Sequence, residues 1–188
     1  MNETPLKERI RLAKSRMFAL RNGVIADTLR KAGSPYRIIF GMNLPQLTDM
    51  ATEIGFDPEL GEALHANDST RESLLLAPML VNPLSFSRED ANRWISTTPD
   101  IEAVDILCHK LLRNLPYAAD LIDDNLYDLS PALSRYAALR LCLNLLTLGK
   151  IAPGQAMETA QRELARRCRL TMPLAQRILE EATLPDGE

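Results

Sequence analysis

The chain has 188 residues, 46% of them hydrophobic and 5% aromatic, and a formal net charge of -3. This composition is apolar enough for a sizeable core, which excludes an intrinsically disordered chain, and the length suits one domain or two small ones. The overall acidity argues against indiscriminate binding to nucleic acid.

Targeting and metal-binding signals are absent from the sequence. The amino-terminal segment is charged and lacks the apolar stretch of a secretory leader, and no apolar run approaches the roughly 18 residues of a membrane span. Cys108, Cys142 and Cys168 are far apart and form no CxxC pair, so neither a disulfide framework nor a zinc site is indicated. We therefore expect a cytoplasmic protein that uses no metal, no other cofactor and no membrane.

The charges are unevenly distributed along the chain. Residues 1–40 carry nine basic and three acidic residues, residues 41–130 carry five and sixteen, and residues 131–188 carry eight and six. Basic ends around an acidic middle would form a basic face if the ends came together. Ordinary solvated helix faces explain the same pattern equally well.

The first third of the chain predicts several short helices. Residues 4–21 form an amphipathic pattern with Leu6, Ile10, Ala13, Met17 and Leu20 on its apolar face, which suits a phosphate-facing or membrane-facing helix, or a terminal helix that caps a stack. A second helix reaches Lys31, so that residues 1–33 form a basic helical segment. The next start signals are Pro35, Asn43, Asp57 followed by Pro58, and a capping box of Ser69 with Glu72.

The remaining start signals are Ser87 with Asp90, Asp100, Pro116, Ser130 with Pro131, and the beginnings of the segments 153–170 and 172–184. Leucine and alanine dominate these segments, and alternating β-branched runs are absent. About eleven helices of roughly 10–18 residues in hairpin pairs predict an all-α fold, a curved right-handed solenoid of HEAT-like helical pairs in one domain over residues 1–188.

The helix that begins after Asp100 has an unusual polar residue. Its apolar stripe runs from Ile101 through Val104 and Leu107 to Leu111, and Asp105 lies within the run between Val104 and Ile106. A carboxylate at the edge of a buried stripe needs a partner or a function.

A series of short motifs runs through residues 34–148: Tyr36–Gly41, Leu47–Gly55, Leu60–His65, Arg71–Glu72 with Leu74–Ala77, the segment around Trp94, Asp100–Leu112 and Ser134–Ala137. In their order and spacing these motifs resemble the DNA alkylation repair (AlkD-like) family of HEAT-like-repeat proteins. The resemblance implies a concave basic face that holds duplex DNA, and a DNA glycosylase that releases cationic N3- or N7-alkylated purines.

The resemblance also implies roles for individual residues. Asp105 corresponds to the catalytic carboxylate that stabilises positive charge on the deoxyribose. Arg135 corresponds to the arginine that contacts DNA phosphate, and Arg140 and Arg37 are further candidates for phosphate contact. Active members carry an aromatic residue four positions before the aspartate, where this chain has Ile101, and a carboxyl-terminal Trp, whereas the last sixty residues here contain none.

Other interpretations remain open. Asp105 could instead pair with Arg135, Arg140 or Lys110, and the chain could be a non-catalytic scaffold that binds another protein. Arg162, Arg166, Arg167 and Arg169 could follow DNA phosphates, form a solvated face or contact an acidic partner. The acidic cluster Asp120, Asp123, Asp124 and Asp128 predicts a solvated loop face rather than a calcium site, because it lacks the glycine and terminal glutamate of an EF-hand.

Overall fold

The computed structural model describes residues 4–127 and 129–184, and within these ranges it contains helices and no β-strand. The α-helices of the described ranges are α1 (Leu6–Ala19), α2 (Gly23–Lys31), α3 (Leu44–Ile54), α4 (Pro58–His65), α5 (Arg71–Leu76), α6 (Arg88–Thr97), α7 (Ile101–Lys110), α8 (Asp120–Asn125), α9 (Ala132–Thr147), α10 (Pro153–Ala165) and α11 (Met172–Ala182). Short 3-10 helices lie after α5, at Ala77–Met79, and after α7, at Leu112–Asn114. The all-helical prediction is confirmed, although α5 and α8, at six residues each, are shorter than expected. Asp128 lies outside the described residues.

The chain divides into two compact units, Met1–Ser85 and Phe86–Glu188. Unit 1 contains α1 to α5, and its fully buried side chains include Met17, Met42, Leu47 and Leu64. Unit 2 contains α6 to α11, and α9 packs against α7, α8, α10 and α11 at its centre. The organisation of residues 1–188 as one HEAT-like-repeat domain stays a prediction.

Cap chemistry explains where several helices begin. Asn43 accepts from the backbone amide of Gln46, and the Gln46 side chain accepts in return from the amide of Asn43, which completes a capping box for α3. Asp57, Ser87 and Asp100 each accept from a first-turn amide of α4, α6 and α7. These side chains replace the carbonyl acceptors that the first helical turn lacks, so their predicted roles are confirmed.

The predicted capping box of Ser69 with Glu72 is wrong. The helix begins at Arg71 after Thr70, without a side-chain cap, and the hydroxyl of Ser69 donates to Asn67 instead. The fully buried carboxylate of Glu72 accepts from the backbone amides of Phe40 and Gly41. Glu72 therefore anchors a distant segment rather than the start of its own helix.

The helix predicted to open at Pro35 is also absent, because residues 34–43 are not helical. The amide of Ile38 donates to Ser69, and the carbonyl of Ile38 accepts from the amide of Arg71, so the segment lies beside the start of α5. Gly41 then turns the chain with a φ of +79° and lies against the backbone of Asn22. Backbone hydrogen bonds to another segment thus take the place of helical ones.

Ser130 does not cap α9, in contrast to the prediction. Pro131 occupies the position before the helix and offers no side-chain acceptor. The carbonyl of Ser130 accepts from the guanidinium of Arg135, while its buried hydroxyl has no hydrogen-bond partner among the described residues.

The opposite charges of the amino-terminal and middle segments partly neutralise each other within unit 1. Arg9 pairs with Asp57 and Glu59, and Arg16 pairs with Glu53. Over the sequence of this unit, ten basic residues balance ten acidic ones. The excess of basic residues over residues 1–40 is therefore offset by helices α3 and α4, which weakens its interpretation as a basic face.

Candidate functional site

Asp105 and Arg140 lie together where α7 packs against α9. The Nε and Nη2 atoms of Arg140 donate to the two carboxylate oxygens of Asp105 at 2.7 and 2.9 Å, and the hydroxyl of Tyr136 donates to one of them at 3.1 Å. Tyr136 and Arg140 are four residues apart, so α9 presents both on the same face. The side chains of Asp105 and Arg140 are 28% and 30% exposed, which places the cluster at the edge of the core.

Burial and charge act on the groups around this pair. Burial acts to lower the pKa of Arg140, but the hydrogen bonds and negative charge of Asp105 outweigh it, and the pKa is raised. Burial and the nearby charge of Asp105 raise the pKa of Tyr136 to about 12. Burial also raises the pKa of Cys108, whose thiol donates to the carbonyl of Ala137. Tyr136 therefore acts as a neutral donor, and Cys108 as an unreactive core residue.

The bidentate pair limits what Asp105 can do in this structure. A carboxylate that stabilises a cationic sugar must direct its negative charge at the substrate. Here both carboxylate oxygens of Asp105 accept from Arg140, so the positive charge of Arg140 already offsets the negative charge of Asp105. One turn earlier, Ile101 is 41% exposed and provides an aliphatic surface without the negative face of an aromatic ring.

Arg135 lies in a separate cluster with Glu163 of α10. Five positions along a helix turn a side chain by roughly 140°, so Arg135 and Arg140 leave α9 on different faces. Arg135 Nε donates to Glu163 at 3.0 Å, and the hydroxyl of Thr171 donates to the same oxygen at 2.6 Å. Arg166 pairs with the other oxygen at 3.2 Å.

The Glu163 cluster is largely enclosed. Glu163 is fully buried and the side chain of Arg135 is only 14% exposed. Arg37, the remaining candidate for phosphate contact, is exposed and belongs to unit 1. The structure thus brings Asp105 together with Arg140 and separates Arg135 from both.

Two members of these clusters were not identified as site residues from the sequence. Tyr136 carries a usable signal, because it lies four residues before Arg140 in the same helix. Glu163 is surrounded in sequence by arginines, which hides that it is an interior acid.

A set of exposed arginines lies on α10, on α11 and in their connection. Its members are Arg162, Arg167, Arg169 and Arg177, and none forms an ion pair with a described residue. Arg166 differs from them, because it pairs with Glu163 and also donates to the carbonyls of Leu126 and Tyr127. Among the described residues of α10, α11 and their connection, these four are the basic side chains without an ion pair.

In the described part of the chain, no group of three or more histidine, cysteine, aspartate or glutamate side chains is arranged to hold a metal ion. None of the helices in residues 4–127 and 129–184 is long and apolar enough to cross a bilayer. Asp120 and Asp124 of the acidic cluster pair with Arg88.

Comparison with known proteins supports the fold. No protein-family model matches the sequence, and no curated protein matches it significantly. A solved structure described as a new family of proteins related to the HEAT-like repeat DNA glycosylases, with affinity for branched DNA structures, is similar with a TM-score of 0.78. The two chains are 17% identical, and the match covers 92% of this chain and 74% of the other. This chain therefore has a HEAT-like repeat helical fold, while its membership of the alkylation repair family stays a prediction.

Proposed function

We propose that this protein binds DNA through the exposed arginines of unit 2 and does not excise bases. The observation that carries the proposal is the set of four exposed guanidinium groups of Arg162, Arg167, Arg169 and Arg177, none of which pairs with a described residue. The fold supports it, because the similar structure belongs to proteins described as having affinity for branched DNA.

Unpaired arginines suit this role for a physical reason. A guanidinium group that is already in an ion pair gains little from a phosphate, whereas an exposed free one can donate two parallel hydrogen bonds. Each phosphate contact releases counterions that are condensed on the DNA. The logarithm of the binding constant therefore falls with the logarithm of the salt concentration, with a slope of about -0.9 per contact. Arg135 and Arg140, both engaged by carboxylates, are poorer phosphate ligands in this arrangement.

Asp105 is proposed to stabilise the packing of α7 on α9 through Arg140. Its role as a glycosylase carboxylate remains a prediction from the family resemblance. That role would require DNA to draw Arg140 away from Asp105, because the pair occupies both carboxylate oxygens.

The proposal is tested by fluorescence anisotropy with a labelled four-way DNA junction and a duplex of the same length, across a salt titration. We expect Arg167→Ala combined with Arg169→Ala to weaken binding about tenfold or more at low salt and to reduce the salt slope by about 2. The matched control is Arg30→Ala, which removes an exposed arginine that already pairs with Asp27. Equal losses in both variants would contradict a localised arginine site.

Base release from an N7-methylguanine duplex is measured with the same protein preparations. We expect none, and release that Asp105→Asn abolishes would overturn the non-catalytic proposal. Failure to bind either DNA at low salt would favour the alternative, a scaffold for another protein.

A further inference from the structure

The exposed face of α1 in unit 1 carries a line of basic side chains that ends in an aromatic ring. Lys7, Arg11, Lys14 and Phe18 follow one another at intervals of four, three and four residues, which places them on one face of the helix. All four are exposed, Phe18 to 56%. Arg21 lies just beyond the end of α1, and its guanidinium carbon is 4.0 Å from the centroid of the Phe18 ring. These five residues are named the α1 stripe.

Most of the positive charges of the α1 stripe are not neutralised by described residues. Arg11 pairs with Glu8, whereas Lys7, Lys14 and Arg21 form no ion pair with a described residue. The arginines of α1 that pair with acids of unit 1 project from the other side of the helix, at roughly 100° per residue. The neutralisation of the amino-terminal segment by α3 and α4 therefore spares the α1 stripe, which rises by roughly 16 Å from Lys7 to Phe18.

The ring of Phe18 is held in place while much of it stays accessible. It meets the ring of Phe40 edge to face, with the centroids 6.5 Å apart and the planes at 89°. Arg21 Nη1 donates to the carbonyl of Phe18 at 2.9 Å, which keeps the guanidinium plane beside the ring. Aromatic rings and guanidinium planes are the surfaces on which unpaired nucleobases stack. The α1 stripe thus joins a stacking surface to a row of cations.

An unpaired DNA strand fits this surface better than a duplex or a membrane does. The bases of a duplex stack on one another, whereas a single strand offers both free base faces and phosphates. A helix that lies in a membrane surface inserts a continuous apolar face into the lipid. In α1 the apolar residues Ala13 and Met17 are buried in the core, and Phe18 is the one large apolar side chain of the α1 stripe.

We propose that the α1 stripe binds a single-stranded segment of DNA. One base stacks on Phe18 and Arg21, and Lys14 and Lys7 contact phosphates further along the strand. The site lies in unit 1 and stands apart from the proposed function, which rests on the exposed arginines of unit 2.

The test is fluorescence anisotropy with a labelled oligothymidylate of about 12 nucleotides, a length within the usual range of single-strand sites. We expect Phe18→Leu, which keeps an apolar side chain but removes the ring, to weaken binding roughly tenfold. Lys14→Gln should reduce the slope of binding against salt by about 0.7, the value for one phosphate contact of a single strand. The matched control is Phe56→Leu at a 64% exposed ring that precedes Asp57, and it should bind as wild type.

A second variant separates stacking from an effect on folding. Phe18→Trp keeps a flat ring, so it should bind the oligothymidylate at least as tightly as wild type. The oligothymidylate should also quench the fluorescence of the added indole, whereas Trp94 is fully buried and should keep its fluorescence in the wild-type protein. The melting temperature of each variant reports on the fold.

The same titrations in a protein that also carries Arg167→Ala and Arg169→Ala distinguish this site from that of unit 2. A tenfold effect of Phe18→Leu that persists there supports the α1 stripe. Equal affinity of wild type and Phe18→Leu for the oligothymidylate, or an equal effect of Phe18→Leu on a blunt duplex, would overturn the single-strand site. Binding to phosphatidylglycerol vesicles that depends on Phe18, without binding of the oligothymidylate, would overturn it in favour of a membrane surface.

Discussion

Arg140 donates to both carboxylate oxygens of Asp105, at 2.7 and 2.9 Å. The residue that the family resemblance marks as catalytic is thus one half of an ion pair between α7 and α9.

The Asp105–Arg140 pair should couple energetically. In a double-mutant cycle of Asp105→Asn and Arg140→Gln, we expect a coupling of about 1 kcal/mol, because the pair is bidentate yet partly solvated. Urea unfolding measures it. The exposed pair Asp27–Arg30, changed in the same way, should give about 0.3 kcal/mol. A coupling no larger than that control would mean the bidentate geometry has no energetic weight.

Glu163 should be far more sensitive than its exposed neighbour. Glu163→Gln removes the buried charge that pairs with Arg135 and Arg166, and should cost about 2–4 kcal/mol of unfolding free energy, since breaking a buried pair leaves a cation uncompensated. Glu158→Gln, exposed on the same helix, should change stability by less than about 0.5 kcal/mol. The loss of unfolding free energy is measured for both variants by thermal or urea unfolding. Similar losses in the two variants would refute the buried cluster.

Gly41 should tolerate no side chain. A Cβ atom there would lie 2.2 Å from the carbonyl oxygen of Asn22 and 2.8 Å from the amide nitrogen of Ala26. We expect Gly41→Ala to lower the free energy of unfolding by roughly 3 kcal/mol or more, because it adds backbone strain and forces α2 to shift. Gly33→Ala shares the positive φ, at +86°, but meets no atom within 4 Å, so only the strain of about 1–2 kcal/mol should remain. The two melting temperatures distinguish these costs.

Tyr136 should make stability depend on alkaline pH. Its pKa is raised to about 12 by burial and by the charge of Asp105, so the folded state holds the proton more tightly than the unfolded state. The stabilisation of the folded state by protonated Tyr136 is fully present below about pH 10 and is lost as the pH rises towards 12. Unfolding free energies measured from pH 8 to 11 should therefore fall more steeply for wild type than for Tyr136→Phe. Tyr127→Phe, at an exposed position, should keep the wild-type slope, and parallel curves for all three proteins would contradict the shift.

Helix starts were predictable where the chemistry is local. The caps at Asn43, Asp57 and Asp100 join side chains to amides three residues away, so the sequence carries the whole interaction. The segment after Pro35 was not predictable, because its partner Glu72 lies more than thirty residues further along the chain. A buried glutamate near a helix start has the same local pattern as a capping box.

The candidate site divides in the same way. Pairing of Asp105 with Arg140 was among the alternatives, because both residues stand out on apolar helices. The partner of Arg135 was missed, since nothing in the run of arginines from Arg162 to Arg169 marks Glu163 as interior. Which arginines are neutralised depends on packing between helices, and packing is what sequence periodicity describes least well.

Trp94 is the only tryptophan of the chain, and it is fully buried in unit 2 against the ring of Phe86. Its fluorescence therefore reports on unit 2 alone, whereas far-ultraviolet circular dichroism reports on the helices of both units. If the units unfold together, the two signals share one midpoint, and if they unfold separately, the midpoints differ. The position of this single indole ring thus allows the unmodified protein to show whether its two units unfold cooperatively.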